Sequence, residues 1–310
     1  MSDLIVQLTN TGKTYNTVDV LSDINLKLNP SEVLGLFGHN GAGKTTLMKL
    51  ILGIIKPTSG EVNVFGHNPI SKNAWQNRKK IGYLPENVSF YDHLTGLEVL
   101  TYFARLKSAP KVQVLELLEQ VGLSHAQKRQ VKTYSKGMRQ RLGLAQAFLG
   151  KPKLLLLDEP TVGLDPIATN EFYTSVDNLK MSGASIILCS HVLPGVEQHI
   201  DRAMILSGGK MKALGTLEQL RAQAALPITI HAQGLNGSVY NDPSLNIYLV
   251  NRCDNQNKLE VAEKQKLAVL RQLLSYDHIT NVHVESPSLE KLYQHYLSDN
   301  QMTSKKGAQL

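Results

Sequence analysis

Hydrophobic residues near the start of the chain recur with two different periods. Residues 5–8 and 24–29 alternate apolar and polar side chains, which predicts half-buried strands, whereas the run VLGLF at residues 33–37 predicts a buried strand. After a glycine-rich stretch, Leu47, Leu50, Ile51 and Ile54 recur at the spacing of one helix face. The pattern therefore predicts a strand, a loop and a helix in succession.

Strand and helix patterns then alternate to about residue 213. Strands are predicted at residues 61–65, 81–84, 154–157 and 185–189, and a short pair around residues 203–213. Helices are predicted over residues 96–121, with a break near Ala109 and Pro110, over residues 134–149 and between the last two buried strands. Such alternation is typical of an α/β protein with a largely parallel sheet.

The composition changes near residues 221–227, where RAQAALP predicts a domain boundary. We expect one domain at residues 1–222, with a helical subdomain at about 86–150, and a small α+β domain at 223–300. In the second domain, strands are predicted at residues 228–233, 246–250, 258–262 and 279–285, and helices at 263–274 and 288–297. Residues 301–310 lack apolar periodicity and are expected to form a flexible tail.

Length and composition agree with a folded protein of two domains. A chain of 310 residues exceeds the size at which one hydrophobic core usually stops growing. Apolar residues make up 42% of the chain and charged residues 19%, which excludes wholesale disorder. No apolar run approaches the roughly 20 residues of a membrane-spanning helix, and the first residues show no secretory signal. We therefore expect a cytoplasmic protein.

The net charge and the cysteine content exclude few classes of function. The net charge of +7 permits nucleotide, an anionic membrane surface or nucleic acid as a partner. Cys189 and Cys253 belong to no CxxC pair, and the ten histidines are dispersed without metal-ligand spacing. We expect both cysteines to be structural and predict no copper site in this chain.

A phosphate-binding motif lies between the predicted strand at residues 33–37 and the helix that follows. It matches GxxxxGK[ST] and is followed by a second threonine, Thr46. The glycines let successive backbone N–H groups point at phosphate oxygens, and the helix N-terminus favours anions. We expect Lys44 to contact the β- and γ-phosphates, Thr45 to bind Mg²⁺ and Thr46 to reach the α-phosphate. The motif consists of Gly38, His39, Asn40, Gly41, Ala42, Gly43, Lys44 and Thr45.

A second motif, LLLLDEP, places two carboxylates at the end of a buried strand. Ligands of α/β proteins bind at such strand ends. Asp158 is predicted to hold Mg²⁺, and Glu159 to orient and deprotonate an attacking water. Together with Lys44, these residues predict a site that hydrolyses a nucleoside triphosphate.

Between the two motifs, residues 134–141 read YSKGMRQR and resemble the LSGGQ signature of the ABC-transporter ATPases. Ser135 and Gly137 match that signature, whereas Lys136 and Met138 replace a glycine and a glutamine. The resemblance implies a P-loop NTPase fold of the ABC type, with an antiparallel β subdomain and a helical subdomain. It also implies that Ser135 and Gly137 bind the γ-phosphate of ATP held by a partner subunit.

Four further positions are similar to motifs of the same family. Asp165, in GLD, resembles the D-loop, His191 the switch histidine that contacts the γ-phosphate, and Tyr15 the aromatic residue that stacks on adenine. Glu86, in GYLPEN, stands where most of the family has the Q-loop glutamine. A carboxylate there could coordinate Mg²⁺, but it adds negative charge beside ATP.

The resemblance covers about residues 3–222 and implies an ATP-hydrolysing subunit. Two copies would close over two ATP molecules with Mg²⁺, as a homodimer on the cytoplasmic face of a membrane, and drive separate integral membrane permease subunits. A soluble ABC ATPase that acts on nucleic acid or the ribosome is an alternative, but the chain has one motif set and no sustained heptads. We expect no nucleic-acid partner. A purely regulatory nucleotide binder is disfavoured by Glu159 and His191.

Several longer stretches resemble one subgroup of these ATPases. Residues 82–100, 134–150, 158–168 and 190–202 are similar to the ATPases of transporters that mature the copper sites of nitrous-oxide reductase. This likeness implies a multi-span permease and a periplasmic accessory protein as partners. ATPases of drug or lipid exporters also carry GYLPE-type loops and form the alternative.

Overall fold

The computed structural model describes residues 4–72, 74–191, 193, 195–234, 241–251 and 257–306. They divide into two compact units, the first ending at Leu214 and the second beginning at Gly215. Within these described ranges, no helix is both long and apolar enough to cross a membrane.

Up to residue 215 the described chain forms two sheets and six α-helices. The strands are β1 (Val6–Tyr15), β2 (Val18–Leu28), β3 (Val33–Phe37), β4 (Ser59–Val64), β5 (Ile81–Leu84), β6 (Leu154–Asp158), β7 (Ser185–Cys189), β8 (Arg202–Ser207) and β9 (Lys210–Gly215). The helices are α1 (Lys44–Ile51), α2 (Ala74–Arg78), α3 (Gly96–Lys107), α4 (Lys111–Gln120), α5 (Lys136–Phe148) and α6 (Pro166–Met181). Short 3₁₀ helices lie at Ser124–Ala126, Val131–Thr133 and Val196–His199.

The larger sheet has the strand order β5-β6-β7-β3-β8-β9, and the neighbours from β5 to β8 pair in parallel. Strands β3, β6 and β7 are buried at every position, which explains their continuous apolar sequences. This confirms the predicted largely parallel sheet. The carboxyl ends of β3 and β6 therefore lie at the same edge of the sheet, where the glycine-rich motif begins and where Asp158 and Glu159 lie.

The smaller sheet is antiparallel, with the order β2-β1-β4. Strands β1 and β2 are much longer than the sequence pattern predicts. Their pairing shifts register between Leu8 and Thr11 and again near Lys13, and Asn10 and Asp23 adopt positive φ angles of 46° and 51°. These irregularities interrupt the alternation of apolar and polar residues, so the pattern is visible over only part of each strand.

Residues 86–150 contain helices and no strand among the described residues. Helix α3 begins at a capping box in which Thr95 and Glu98 bond each other's backbone N–H groups. The predicted break near Ala109 and Pro110 is confirmed, because α3 ends at Lys107 and α4 begins at Lys111.

The second unit contains an antiparallel sheet with the order β11-β12-β10-β13. Its elements are α7 (Leu217–Ala224), β10 (Ile228–Gln233), α8 (Pro243–Asn246), β11 (Leu249–Asn251), β12 (Asn257–Val261), a 3₁₀ turn (Glu263–Gln265), α9 (Lys266–Leu274), β13 (Asn281–Glu285) and α10 (Leu289–Lys306). Helix α7 packs on α10, where the Tyr296 hydroxyl donates to the Leu220 carbonyl at 3.1 Å. These contacts place α7 in this unit, so the predicted boundary at residue 222 falls within this helix.

Two predictions for this unit need correction. The strand expected at residues 246–250 is present only from Leu249, as β11, because Asp242 accepts a hydrogen bond from the Ser244 N–H and Pro243 opens helix α8, which extends to Asn246. Residues 301–306 were expected in a flexible tail, but α10 continues to Lys306, because no glycine or proline interrupts the chain between Pro287 and Gly307. Ser288 caps the start of α10, since the Lys291 N–H donates to its hydroxyl. Cys253 lies outside the described residues.

Candidate functional site

The phosphate-binding loop runs from the end of β3 to the start of α1. Gly41 and Gly43 adopt positive φ angles of 84° and 107°, which side-chain-bearing residues rarely adopt. A Cβ on Gly43 would also lie only 2.6 Å from the Leu21 side chain. These constraints explain why the sequence carries glycine there, and they turn the loop backbone around the N-terminus of α1.

Lys44 is buried at the first position of α1, and its ammonium group turns back into the loop. Its Nζ donates to the carbonyls of Gly38 and His39. These bonds satisfy the charged group while it is 7% exposed. They also hold it where an anion on the loop would meet it.

A cavity of about 370 Å³ opens in front of this loop. It brings together the loop, the end of β6 and Glu86, which are separated in the sequence. The residues that line it are Val20, His39, Asn40, Gly41, Gly43, Lys44, Thr45, Thr46, Glu86, Asp158 and Glu159. The cavity therefore combines one lysine and a helix N-terminus with three carboxylates and two hydroxyls.

Asp158 ends β6 and faces the start of α1. The Thr45 hydroxyl donates to its Oδ2 at 2.9 Å. Burial raises the pKa of Asp158, and the nearby negative charges of Glu159 and Glu86 raise it further, against the lowering effects of Thr45 and Lys44. A hydroxyl and a carboxylate at this spacing form an oxygen donor set that suits a hard divalent cation, whose charge would stabilise the ionised carboxylate.

Glu159 directly follows the strand and has a left-handed backbone, with φ of 53°. Its N–H donates to the Cys189 carbonyl at 3.0 Å, and one carboxylate oxygen lies 2.7 Å from His191 Nδ1. The Glu159 side chain is 7% exposed, whereas that of His191 is 56% exposed. The structure thus places the predicted carboxylate and histidine in direct contact, with Glu159 lining the cavity.

Seven predicted residues are not among those that line this cavity: Tyr15, Gly38, Ala42, Ser135, Gly137, Asp165 and His191. Ser135 caps helix α5 by accepting a hydrogen bond from the Met138 N–H at 3.2 Å, and Asp165 caps α6 by accepting from the Ala168 N–H at 2.9 Å. Gly137 packs against Gly163, because a Cβ added there would lie 2.6 Å from the Gly163 carbonyl. Within one chain, Ser135, Asp165 and Gly137 belong to a surface separate from the cavity lining.

Tyr15 also lies outside the cavity lining. It ends β1 opposite Val18, is 43% exposed, and has Lys13 Nζ 4.9 Å from its ring centre. Stacking of adenine on this ring stays a prediction.

The sequence reasoning missed Val20 and Gln140. Val20 lines the cavity from β2, and a Cβ on Gly43 would lie 3.0 Å from its carbonyl. The alternation of Val18 and Val20 could have assigned it to a strand, but nothing in its identity indicates a neighbouring loop. Gln140 is buried in α5, and its Nε2 donates to the carbonyls of Glu159 and Pro160. Its position on the same helix face as buried apolar residues of α5 could have indicated that this glutamine is buried.

A second, smaller cavity lies in the helical region, with a volume of about 280 Å³. Aromatic side chains dominate its walls, and Tyr91 and Tyr102 are 71% and 53% exposed. The lining residues are Ser89, Phe90, Tyr91, Leu94, Val99, Tyr102 and Phe103. This aromatic groove follows Glu86 directly in the sequence.

Several known proteins resemble this chain in sequence. A family model described as ABC transporter matches residues 21–162. The chain is 34% identical over its whole length to an uncharacterized ABC transporter ATP-binding protein, YdbJ, of Bacillus subtilis (strain 168), and covers all of that protein. It is 40% identical to the bacitracin transport ATP-binding protein BcrA of Bacillus licheniformis over 67% of this chain and 68% of that protein.

A solved structure described as the ATP binding subunit of an ABC transporter is similar in fold and sequence. The TM-score is 0.67 at 31% sequence identity, and the match covers 71% of this chain and 92% of that structure.

Proposed function

We propose that this chain, which belongs to the ATP-binding subunits of ABC transporters and is an ATPase, works as one of two copies. Together the two copies energise a membrane permease. The observation that carries the site assignment is the cavity in which Lys44, Thr45, Asp158 and Glu159 converge, with His191 bonded to Glu159. In this arrangement a triphosphate is held by the loop and the attacking water by the carboxylate.

Lys44 and the loop backbone bind the phosphates. The lysine exchanges its bonds to the Gly38 and His39 carbonyls for β- and γ-phosphate oxygens, and the N–H groups at the start of α1 contact the same anion. Thr46, which lines the cavity, is assigned to the α-phosphate. The positive charge and the helix N-terminus stabilise the negative charge that is shared among the phosphate oxygens during transfer.

Thr45 and Asp158 are the residues that would hold Mg²⁺, with Glu86 on the same cavity wall as a third oxygen donor. When bound, the ion neutralises charge on the β- and γ-phosphates.

Glu159 activates the water. Its carboxylate accepts a proton from the water as the water oxygen attacks the γ-phosphorus, and the bond to the ADP oxygen breaks. His191 holds this carboxylate through the 2.7 Å contact, and its exposed ring is available to meet the γ-phosphate. The buried left-handed backbone fixes the direction from which the carboxylate approaches.

Ser135 and Gly137 are assigned to the ATP of the partner copy. They lie at the N-terminus of α5, where backbone N–H groups attract anions, yet they do not line their own chain's cavity. Asp165 is assigned to contacts between the two ATP sites of the dimer. Tyr15 is assigned to stacking on adenine. The aromatic groove at residues 89–103 is assigned to a helix of the permease, because its exposed aromatic side chains fit an apolar helix face.

The catalytic assignment is tested with Glu159→Gln. The variant keeps the shape of the side chain but loses the proton acceptor, so we expect kcat to fall at least about a hundredfold while ATP binding is retained. Glu116→Gln, at an exposed position on α4, serves as the control and should keep the wild-type rate. Unchanged turnover in Glu159→Gln would overturn the assignment.

For the cargo, we propose export of a drug-type compound such as bacitracin, on the basis of the similarity to the bacitracin transport ATP-binding protein. Copper-site maturation of nitrous-oxide reductase, with a periplasmic accessory protein, is the second candidate, because four stretches resemble the ATPases of that system. The neighbouring genes discriminate between them. A permease gene beside a nitrous-oxide reductase gene would support the second candidate and overturn the first.

A further inference from the structure

Gln140 is a buried polar residue in the second turn of helix α5. Its side chain lies among apolar neighbours on the helix face that packs inward, and the residue is only 4% exposed. A buried amide is costly unless it is hydrogen-bonded. Its Nε2 donates to the carbonyl of Glu159 at 3.3 Å and to that of Pro160 at 3.2 Å. The amide therefore bonds to the backbone of the residue assigned as the general base.

The backbone of Glu159 needs such support. Its φ of 53° is in the left-handed region, which non-glycine residues occupy only where the surroundings hold them. Three residues form hydrogen bonds with the Glu159 backbone. The Cys189 carbonyl of β7 accepts from its N–H, and its carbonyl accepts from the Val162 N–H at 3.3 Å and from Gln140 of α5. Gln140 is thus the residue through which α5 stabilises the backbone conformation of Glu159.

A second contact joins the same two segments. Gly137, at the start of α5, approaches the Gly163 carbonyl so closely that a Cβ would lie 2.6 Å from it. Together with Gln140, it fixes the first two turns of α5 against residues 159–163. A displacement of this helix is therefore passed to the backbone that carries the Glu159 carboxylate.

We infer that Gln140 is a positioning residue for Glu159, which ties the helix beginning at Ser135 to the general base of the same chain. The inference rests on the proposed function, in which Ser135 contacts the ATP of the partner copy and Glu159 acts on the ATP of its own chain. Binding of the partner's ATP by α5 is then coupled to the position of the Glu159 carboxylate beside the chain's own ATP. Gln140 itself is not among the residues that line the cavity.

The test compares Gln140→Met with wild type. Methionine has a similar length but no donor, so we expect kcat for ATP to fall about tenfold to a hundredfold because the carboxylate is misplaced, with KM within about twofold of wild type. The matched control is Gln113→Met. Gln113 also bonds the backbone from a helix, accepting from the Gly150 N–H at 3.0 Å, but it lies outside the site. Its kcat should remain at the wild-type value.

Two further variants separate positioning from a loss of packing. In a Glu159→Gln background, Gln140→Met should cause no additional loss of residual kcat, because both changes act through the same carboxylate. In Gln140→Glu, the introduced carboxyl can donate only when protonated, so the ratio of its kcat to that of wild type should fall as pH rises. A pH-independent ratio, or an additive loss in the double variant, would overturn the inference.

The outcomes also distinguish this inference from the proposed function. If Glu159→Gln abolishes turnover and Gln140→Met leaves kcat unchanged, the positioning role is wrong and the ATPase assignment stands. If Glu159→Gln turns over like wild type, the proposed function fails and the inference fails with it.

Discussion

At the scale of single residues, Glu86 changes the charge of the site. It lines the cavity together with Asp158 and Glu159, so three carboxylates face one cavity. Burial is the largest cause of the raised pKa of Asp158, and the charges of Glu159 and Glu86 add to it. Glu86 therefore affects the pH at which Asp158 ionises.

We expect Glu86→Gln to move the acidic limb of the pH profile of kcat/KM to lower pH. The substitution removes one of the negative charges that raise the pKa of Asp158, so this carboxylate stays ionised in more acidic solution. ATPase rates measured across the acidic range test this. Glu116→Gln should leave the limb in place, and a shift of the Glu86→Gln limb to higher pH would contradict the expectation.

At the scale of elements, the contact of α5 with residues 159–163 depends on a glycine. Gly137 lies in the first turn of α5, and the space where its Cβ would be is occupied by the Gly163 carbonyl. Neighbouring Lys136, in contrast, is exposed. The pattern S-x-G at this helix start thus has a packing reason in addition to its proposed contact with the partner's ATP.

Gly137→Ala should reduce the free energy of unfolding by about 1–3 kcal/mol, because the added methyl group forces α5 away from the Gly163 carbonyl. Urea denaturation of the purified protein measures this. Lys136→Ala, in the same helical turn, should change stability little, since its side chain is exposed. Equal stability of the two variants would show that the segment accommodates the methyl group without cost.

Much of the first unit was predictable because its signals are local. The continuous apolar sequences of β3, β6 and β7 indicate buried strands, and the position of Lys44 after β3 indicates a phosphate-binding loop. Two groups outside those motifs were harder to find. Gln140 acts on a backbone carbonyl 19 residues away, and Val20 meets the loop from another sheet. Such contacts follow from tertiary packing, which periodicity does not report.

Predictions failed where a short-range signal was weak or was overridden. Strands β1 and β2 contain register shifts that remove the alternation. The strand predicted at residues 246–250 begins only at Leu249, because the Asp242 cap and Pro243 start helix α8, which extends to Asn246. For residues 301–306, polar composition indicated a tail, whereas the absence of helix breakers favoured the continuation of α10.

At the scale of the whole molecule, one chain carries all the parts of the proposed site but does not assemble them. Lys44, Thr45, Asp158 and Glu159 line its cavity, while Ser135 and Gly137 lie on a separate surface. In the proposed dimer, a complete site takes one surface from each of two copies. Because a symmetric dimer uses both surfaces of both chains, it contains two such sites.

This separation has a consequence in genetics. An allele with Lys44→Ala and an allele with Ser135→Arg are each expected to give inactive homodimers. When the two chains are co-expressed in equal amounts, about half of the dimers are mixed. In each mixed dimer one site receives both defects and the other is intact, so ATP turnover should recover to about a quarter of wild type if the sites act independently. ATPase assays on the co-purified chains measure this, and no recovery beyond the separate alleles would contradict it. Two recessive lesions within this one gene would then complement each other.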